Sequence, residues 1–210
     1  MTNPASFSWS HLYKSRQAIA RRFGRIFSLP IVKRLREVFA AQIRPNDRVL
    51  EVGAGDRGMA RLVADRQARY ESCDPDPQGQ HEYKSLESAV GPYDCIASFE
   101  VIEHLSLDEI LPWLAQLAAL LAPGGRLILS TPNTYYPPDF LRDATHRTPL
   151  CYDELGGLVE SSGLQVTQLV RVYHDPLHRK FLKRYMFGWL FRMIGIDFAR
   201  QIVLVAEKPR

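Results

Sequence analysis

Cysteine is scarce in this 210-residue chain: Cys73, Cys95 and Cys151 are the only three, and no two stand at a zinc-binding or disulfide-framework spacing. Two of them fall in apolar, strand-like stretches, which reads as reduced thiols in a cytoplasmic protein. Long hydrophobic runs are also missing. No stretch of 18 or more apolar residues occurs, which excludes a membrane-crossing helix. The basic N-terminus has no continuous apolar segment of the kind a secretory signal needs. Internal repeats and low-complexity tracts are absent too. Acids are nearly missing from the two ends: residues 1–45 carry nine Lys/Arg against Glu37 alone, and residues 171–210 carry nine against three.

What is present is a globular balance of 46% apolar and 24% charged residues, enough for one domain with a sizeable core. The net charge of +4 conceals an acidic centre, because residues 46–170 hold nineteen acids against nine Lys/Arg. Basic ends around an acidic middle suggest an anionic neighbour, phospholipid or nucleic acid, or else an unevenly charged solvated surface.

Along the chain, strand and helix patterns alternate. Ser28-Leu29-Pro30 followed by Ile31, Val32, Leu35, Phe39 and Ile43 predicts an amphipathic helix with Pro in its first turn. The segment 44–47 then turns into a first strand ending at Val52. Further strands are expected at 70–73, weakly near 81–85, and at 93–99, 126–130, 166–172 and 201–206. Helices are expected over 107–121 and 151–162. This order implies a mostly parallel sheet with helices on both faces, in which the last strands can be antiparallel.

The most informative run is Val49-Leu50-Glu51-Val52-Gly53-Ala54-Gly55-Asp56-Arg57-Gly58. A strand enters a glycine-rich turn and an amphipathic segment follows, which is the opening unit of a nucleotide-binding α/β fold. Asp74 stands about 20 residues on, where a carboxylate can accept both hydroxyls of a ribose.

Four blocks in this order make the chain resemble the class I S-adenosylmethionine-dependent methyltransferases. They are Val49–Gly55, Asp74, Tyr93–Leu105 and Leu121–Asn133. The nearest motifs are those of the ubiquinone-biosynthesis O-methyltransferases and the type 11 and 23 methyltransferase group. The resemblance departs from the family loop at Arg57, where a third glycine is usual. It implies a Rossmann-like methyltransferase fold, a mostly parallel seven-stranded sheet with helices on both faces and an antiparallel last strand. Residues 45–210 would form that domain, with an amphipathic basic insertion at 175–197, after a basic helical extension at 1–44. It further implies that Gly53, Ala54 and Gly55 line the methionine and ribose portion of S-adenosylmethionine. Glu51 would organise the methionine amino end and Asp74 the ribose hydroxyls, with Pro75 and Phe99 completing the cofactor contacts. Asp76, between two prolines, reads as a turn residue.

Glu100, Glu103 and His104 stand at i, i+3 and i+4, so on a helical turn they share one face. They follow a strand at its carboxyl end, where open α/β sheets place ligands. With His146, from the polar run Asp143–Arg147, they could hold a divalent cation. The same pattern resembles two metal-dependent branches, the ubiquinone O-methyltransferases and the small-RNA 2′-O-methyltransferases. Equally, Glu103, His104 and His146 could act as acid–base groups with no metal, and acids at a helix start are favoured by its dipole alone. Tyr135, Tyr136, Arg142 and Arg147 are candidate acceptor contacts. His11, His81, His174 and His178 read as bystanders.

From Phe181 to Ile194 apolar residues recur in adjacent pairs every four positions, with Lys183, Arg184 and Arg192 off that face. Basic residues beside Trp, Phe and Leu suit a helix lying in a membrane interface, a lid or a dimer surface. The first 30 residues repeat the composition with Phe7, Trp9, Tyr13, Phe23 and Phe27. The resulting expectation is methyl transfer to a hydroxyl of a small or lipid-linked acceptor, a quinone precursor or glycan, at the inner membrane surface. RNA 2′-O-methylation and a catalytically silent recruiting subunit are the alternatives. A bound nucleic acid is disfavoured by the width of the apolar stripe. No Asn/Asp-Pro-Pro-Tyr/Phe block follows the 93–99 strand, which argues against amino-methylating DNA and glutamine enzymes.

Overall fold

The computed structural model describes residues 9–173 and 177–210. Phe7 and His174 lie outside the described residues, and the side chains of Trp9 and His11 are likewise outside them. In chain order the elements are α1 (Trp9–Phe23), β1 (Ile31–Val32), α2 (Leu35–Gln42), β2 (Arg48–Val52), α3 (Ala60–Asp65), β3 (Arg69–Cys73), β4 (Tyr93–Phe99), α4 (Leu107–Leu120), β5 (Leu121–Pro132), α5 (Pro137–Leu141), α6 (Tyr152–Ser161), β6 (Gln165–Val172), α7 (Leu177–Phe181), α8 (Gly188–Ile194) and β7 (Gln201–Glu207). A sheet of seven strands runs β1-β6-β7-β5-β4-β2-β3. Only β7 is antiparallel to its neighbours, β5 and β6. This is the Rossmann-like arrangement expected, with all carboxyl ends but that of β7 on one edge.

Alternation along the strands divides the core. Leu50, Val52, Ile96, Leu127 and Leu129 pack on one side with α4 and α6, whereas Val49, Cys95, Ala97 and Ile128 pack on the other with Phe39 and Val63. The basic N-terminal helix α1 is part of the first layer: Leu12 and Ile19 are buried in it. Gly156 and Gly157 of α6 make that approach possible, since a Cβ on Gly157 would lie 2.9 Å from the Cβ of Ser15. Arg16 pairs with Asp153 and Glu154 of α6.

Three expectations need correction. Residues 28–43 are not one helix: Ile31–Val32 pair in parallel with Arg171–Val172, and the helix begins at Leu35. Pro30 lacks an N–H, its carbonyl accepts from the Arg171 N–H at 2.8 Å, and the Arg171 guanidinium holds the Phe27 and Leu29 carbonyls, so the stretch is drawn into the sheet. The strand expected near 81–85 shrinks to a single bridge between Cys73 and Tyr83, because the Glu82 carboxylate turns back onto the Ser72 N–H and hydroxyl. The single helix expected over 181–194 is broken. A π-helical turn at Leu182–Met186 separates α7 from α8, which starts at Gly188.

Candidate active site

The loop after β2 is a tight backbone cradle. Gly53 has φ +72°, and a Cβ there would meet Val101 Cγ2 at 2.2 Å, so both conformation and space demand glycine. Gly55 has φ +46° and nothing within 4 Å of where its Cβ would be, which leaves an open approach to the backbone. Arg57, at the position where the family has a third glycine, adopts φ +58° and is held by the Gln80 carbonyl and the Glu82 carboxylate.

Asp74 follows β3 and closes this cradle. Its Oδ2 accepts from the Gly55 N–H and its Oδ1 from the Asp76 N–H, both at 2.9 Å. Burial pushes its pKa up, but these two N–H donors, with His81 and Lys84 nearby, outweigh it and hold the carboxyl below the usual range. Pro75 is exposed beside it, and Ala54 is buried under the loop. Glu51 lies beneath the cradle and is buried, its Oε2 accepting from the Tyr70 hydroxyl at 2.5 Å. Burial raises its pKa. Tyr70 carried no signal in the sequence beyond strand propensity. Phe99 packs edge-on against Phe39, ring centroids 5.4 Å apart, in the layer under α2.

A second cluster follows the carboxyl end of β4. Glu100 adopts φ +55° and its Oε1 accepts from Ser130 Oγ at 2.8 Å. That left-handed residue breaks the regular turn, so Glu100 does not join Glu103 and His104 on one helical face. The residues Ile102–His104 form a 3-10 turn instead. Glu103, His104 and His146 do converge, with one ligand atom of each within 4.8 Å of the others. The loop carrying His146 is tied down by the Arg147 and Thr148 N–H groups, which donate to the Glu103 carbonyl at 2.8 and 3.0 Å.

Hydrogen bonding assigns which ring nitrogens carry the proton. His146 Nδ1 lies 2.8 Å from the Phe140 carbonyl, so Nδ1 carries the hydrogen and Nε2 the lone pair in the neutral ring. Thr145 spends its hydroxyl hydrogen on Asp143, so His104 Nδ1, 2.9 Å from that hydroxyl, is the donor and its Nε2 is again unprotonated. Glu103 is fully buried; Thr131 Oγ1 donates to its Oε2 at 3.2 Å, while Oε1 has no hydrogen-bond partner and lies 3.9 Å from His146 Nε2. Burial first, then the neighbouring Glu100, pushes Glu103 up to about 8. Thr131 and Thr145 were not singled out from sequence; only the polar strand end Ser130-Thr131-Pro132-Asn133 hinted at the first.

The other expected acceptor contacts are spread around this cluster. Arg200 forks onto Asp139 with two bonds of 2.7 Å and lies over the Tyr136 ring. Tyr135 is half-buried against Phe27. Arg142 is exposed, and Arg147 reaches Glu109 at 3.4 Å. His81 is no mere surface residue: its Nδ1 is 3.1 Å from Ser72 Oγ and its Nε2 is buried without a partner.

The model of the methyltransferase domain family matches residues 20–169, most of the chain. The chain belongs to the class I S-adenosylmethionine-dependent methyltransferases. This methyltransferase is 25% identical over 170 residues to a ubiquinone biosynthesis O-methyltransferase of Burkholderia thailandensis, covering 65% of this chain and 72% of that one. A protein of the same description from Xanthomonas campestris is 33% identical over 119 residues, 48% of this chain and 49% of its own. Among solved structures, an S-adenosylmethionine-dependent methyltransferase from Archaeoglobus fulgidus superposes with a TM-score of 0.66 at 15% identity, over 96% of this chain and 100% of that one. At that identity the likeness speaks for the fold.

Proposed function

We propose that this methyltransferase methylates a hydroxyl group of a small or lipid-linked acceptor, with Asp74 and the 53–55 loop holding the cofactor and Glu103, His104 and His146 facing the acceptor. S-adenosylmethionine, when bound, supplies a methyl group on a positively charged sulfur. The open backbone at Gly55 and the Asp74 carboxylate suit it: one offers contact without side-chain obstruction, the other accepts two ribose hydroxyl hydrogens. Glu51, Pro75 and Phe99 support the loop and its rim in this reading.

The observation that carries the acceptor side is the Glu103–His146 pair. An imidazole with its lone pair fixed on Nε2 faces a buried carboxyl whose Oε1 has no partner. In the transfer, the acceptor oxygen forms a bond to the methyl carbon as the carbon–sulfur bond breaks. The hydroxyl proton passes to His146 Nε2, and Glu103, in its ionised form, stabilises the imidazolium that results. General-base help of this kind contributes about 10²–10⁴-fold. The Phe140 carbonyl and the 145–148 loop keep His146 aimed, which is the positioning that an in-line displacement needs.

The same three side chains fit a divalent cation. Each imidazole donates Nδ1–H to oxygen and keeps its lone pair on Nε2, the pairing that fixes metal-ligating histidines, and Glu103 supplies an unsatisfied buried oxygen. Such an ion would lower the pKa of a hydroxyl bound to it. Glu100, engaged by Ser130, stands outside this set. Methylation of a catechol against that of a single phenol, each with and without chelator, tests the reading. With His146 Nε2 as a ligand instead of the base, the reading predicts a preference for adjacent hydroxyls that chelation removes. Cofactor binding without transfer to either acceptor would contradict it.

A further inference from the structure

Besides the acceptor cluster, the carboxyl edge of the sheet carries a second concavity. A cavity of about 220 Å³ opens between Phe27–Ile31 and the α7–α8 segment, with Arg184, Arg192, Phe191 and Phe198 in its wall. That is smaller than the roughly 300–1,000 Å³ of a site for a whole drug-sized ligand, so it takes a headgroup-sized fragment. Its floor is rigid. Arg171 is fully occupied there, forking onto the Asp197 carboxylate at 3.0 Å and holding the Leu29 carbonyl. Arg184 and Arg192 are exposed, and no carboxylate among the described residues pairs with either. Two unneutralised guanidinium groups in a cavity wall call for an anion with several oxygens.

Next to this cavity the chain presents apolar surface that a soluble domain would bury. Phe181 is 61% exposed, Trp189 64% and Met193 68%. No acid occurs from 177 to 196, whereas Arg179, Lys180, Lys183, Arg184 and Arg192 do. A second copy docked face to face would set these cations against themselves. A soluble polyanion would leave the aromatics in water. An anionic lipid surface satisfies both features at once.

We propose that the cavity binds the phosphate of a membrane lipid between Arg184 and Arg192, with the lipid chain lying along Phe181, Trp189 and Met193. The cavity is coupled to the acceptor cluster through one strand end. Thr131 donates to Glu103, and two residues on Asn133 donates to Asp197 beneath the cavity, at 3.0 Å. Two residues of extended backbone span about 7 Å, so a lipid seated there would lie beside the proposed acceptor site. The proposal stands apart from the methyl-transfer reading, because binding is read without cofactor or acceptor.

Flotation of the full chain with phosphatidylcholine vesicles, with and without phosphatidylglycerol, tests it. The expected result is binding only to the anionic vesicles, weakened about 30-fold by Arg184→Gln with Arg192→Gln and about tenfold by Phe181→Ser with Trp189→Ser. The pair Arg61→Gln and Arg66→Gln, which removes equal charge on α3 and at its end, should leave binding within a few-fold. All six positions are solvent-facing, and circular dichroism checks that each variant folds. Equal loss from the α3 pair would reduce the site to general charge attraction and overturn the proposal. So would complete displacement by inorganic phosphate, no binding to either vesicle, or a dimer that Trp189→Ser converts to monomer.

Discussion

The two halves of the carboxyl edge handle charge in opposite ways. On the side proposed for the cofactor, Asp74 has a backbone donor on each oxygen and its pKa is held down. On the side proposed for the acceptor, Glu103 has one oxygen without a partner, and burial holds its proton to about pH 8. A carboxylate meant to grip neutral hydroxyls gains from being fixed and ionised at all working pH values. A carboxyl meant to take up a proton or a cation during a reaction gains from being poised near neutrality. Two carboxyls on one edge are thus shifted in opposite directions, one by N–H donors and the other by burial.

The comparison can be broken by mutation. The largest effect is expected from His146→Ala and from Glu103→Ala: turnover falls about 10²–10⁴-fold while affinity for S-adenosylhomocysteine stays within a few-fold, read by steady-state kinetics beside calorimetry. Next, Asp74→Ala weakens cofactor binding about 10–100-fold, the effect of losing charge-assisted hydrogen bonds, and raises the KM for the methyl donor more than it lowers kcat. If the two variants exchanged these signatures, the division of the edge would be wrong.

Smaller effects sharpen it. Calorimetric titration with Mn, Mg and Zn in buffers of different ionisation enthalpy should show a proton leaving on binding at pH 7, because Glu103 is protonated there when no cation is bound. Heat independent of the buffer would place the ion elsewhere. Stability carries the same information. Folding raises the ionisation of Glu103 to about 8, so the folded state keeps a proton that the unfolded chain has lost. The contribution of this group to stability therefore falls as pH climbs from the unfolded value, about 4.3, to about 8, and is level above. Glu103→Gln removes that dependence. Its melting temperature should exceed that of the unmodified chain by about 5 °C at pH 8 and match it near pH 4.

Much of this was legible in the residues themselves. The strand–glycine–helix unit, Asp74 and the order of elements all follow from local patterns, because a buried parallel strand and a tight turn each demand particular residue types. Local pattern gives Ile31–Val32 as helix, since nothing nearby reveals that Arg171, 142 residues beyond Leu29, recruits the preceding carbonyls. Spacing alone groups Glu100 with Glu103, and spacing assumes a helical turn that its φ of +55° abolishes. Tyr70, Thr131 and Thr145 gain their roles only through partners distant in sequence. The segment 181–194 shows the converse: its periodicity is real, but Phe187-Gly188 allows a break that periodicity cannot sense.

The most direct test is calorimetry with S-adenosylhomocysteine on the unmodified chain, on Asp74→Ala and on Glu103→Gln. Tight binding by the first and third with severe loss in the second is the outcome expected. A chain that ignores the product altogether, or that loses it through Glu103 and not Asp74, would contradict the assignment of cofactor and acceptor to their two sides.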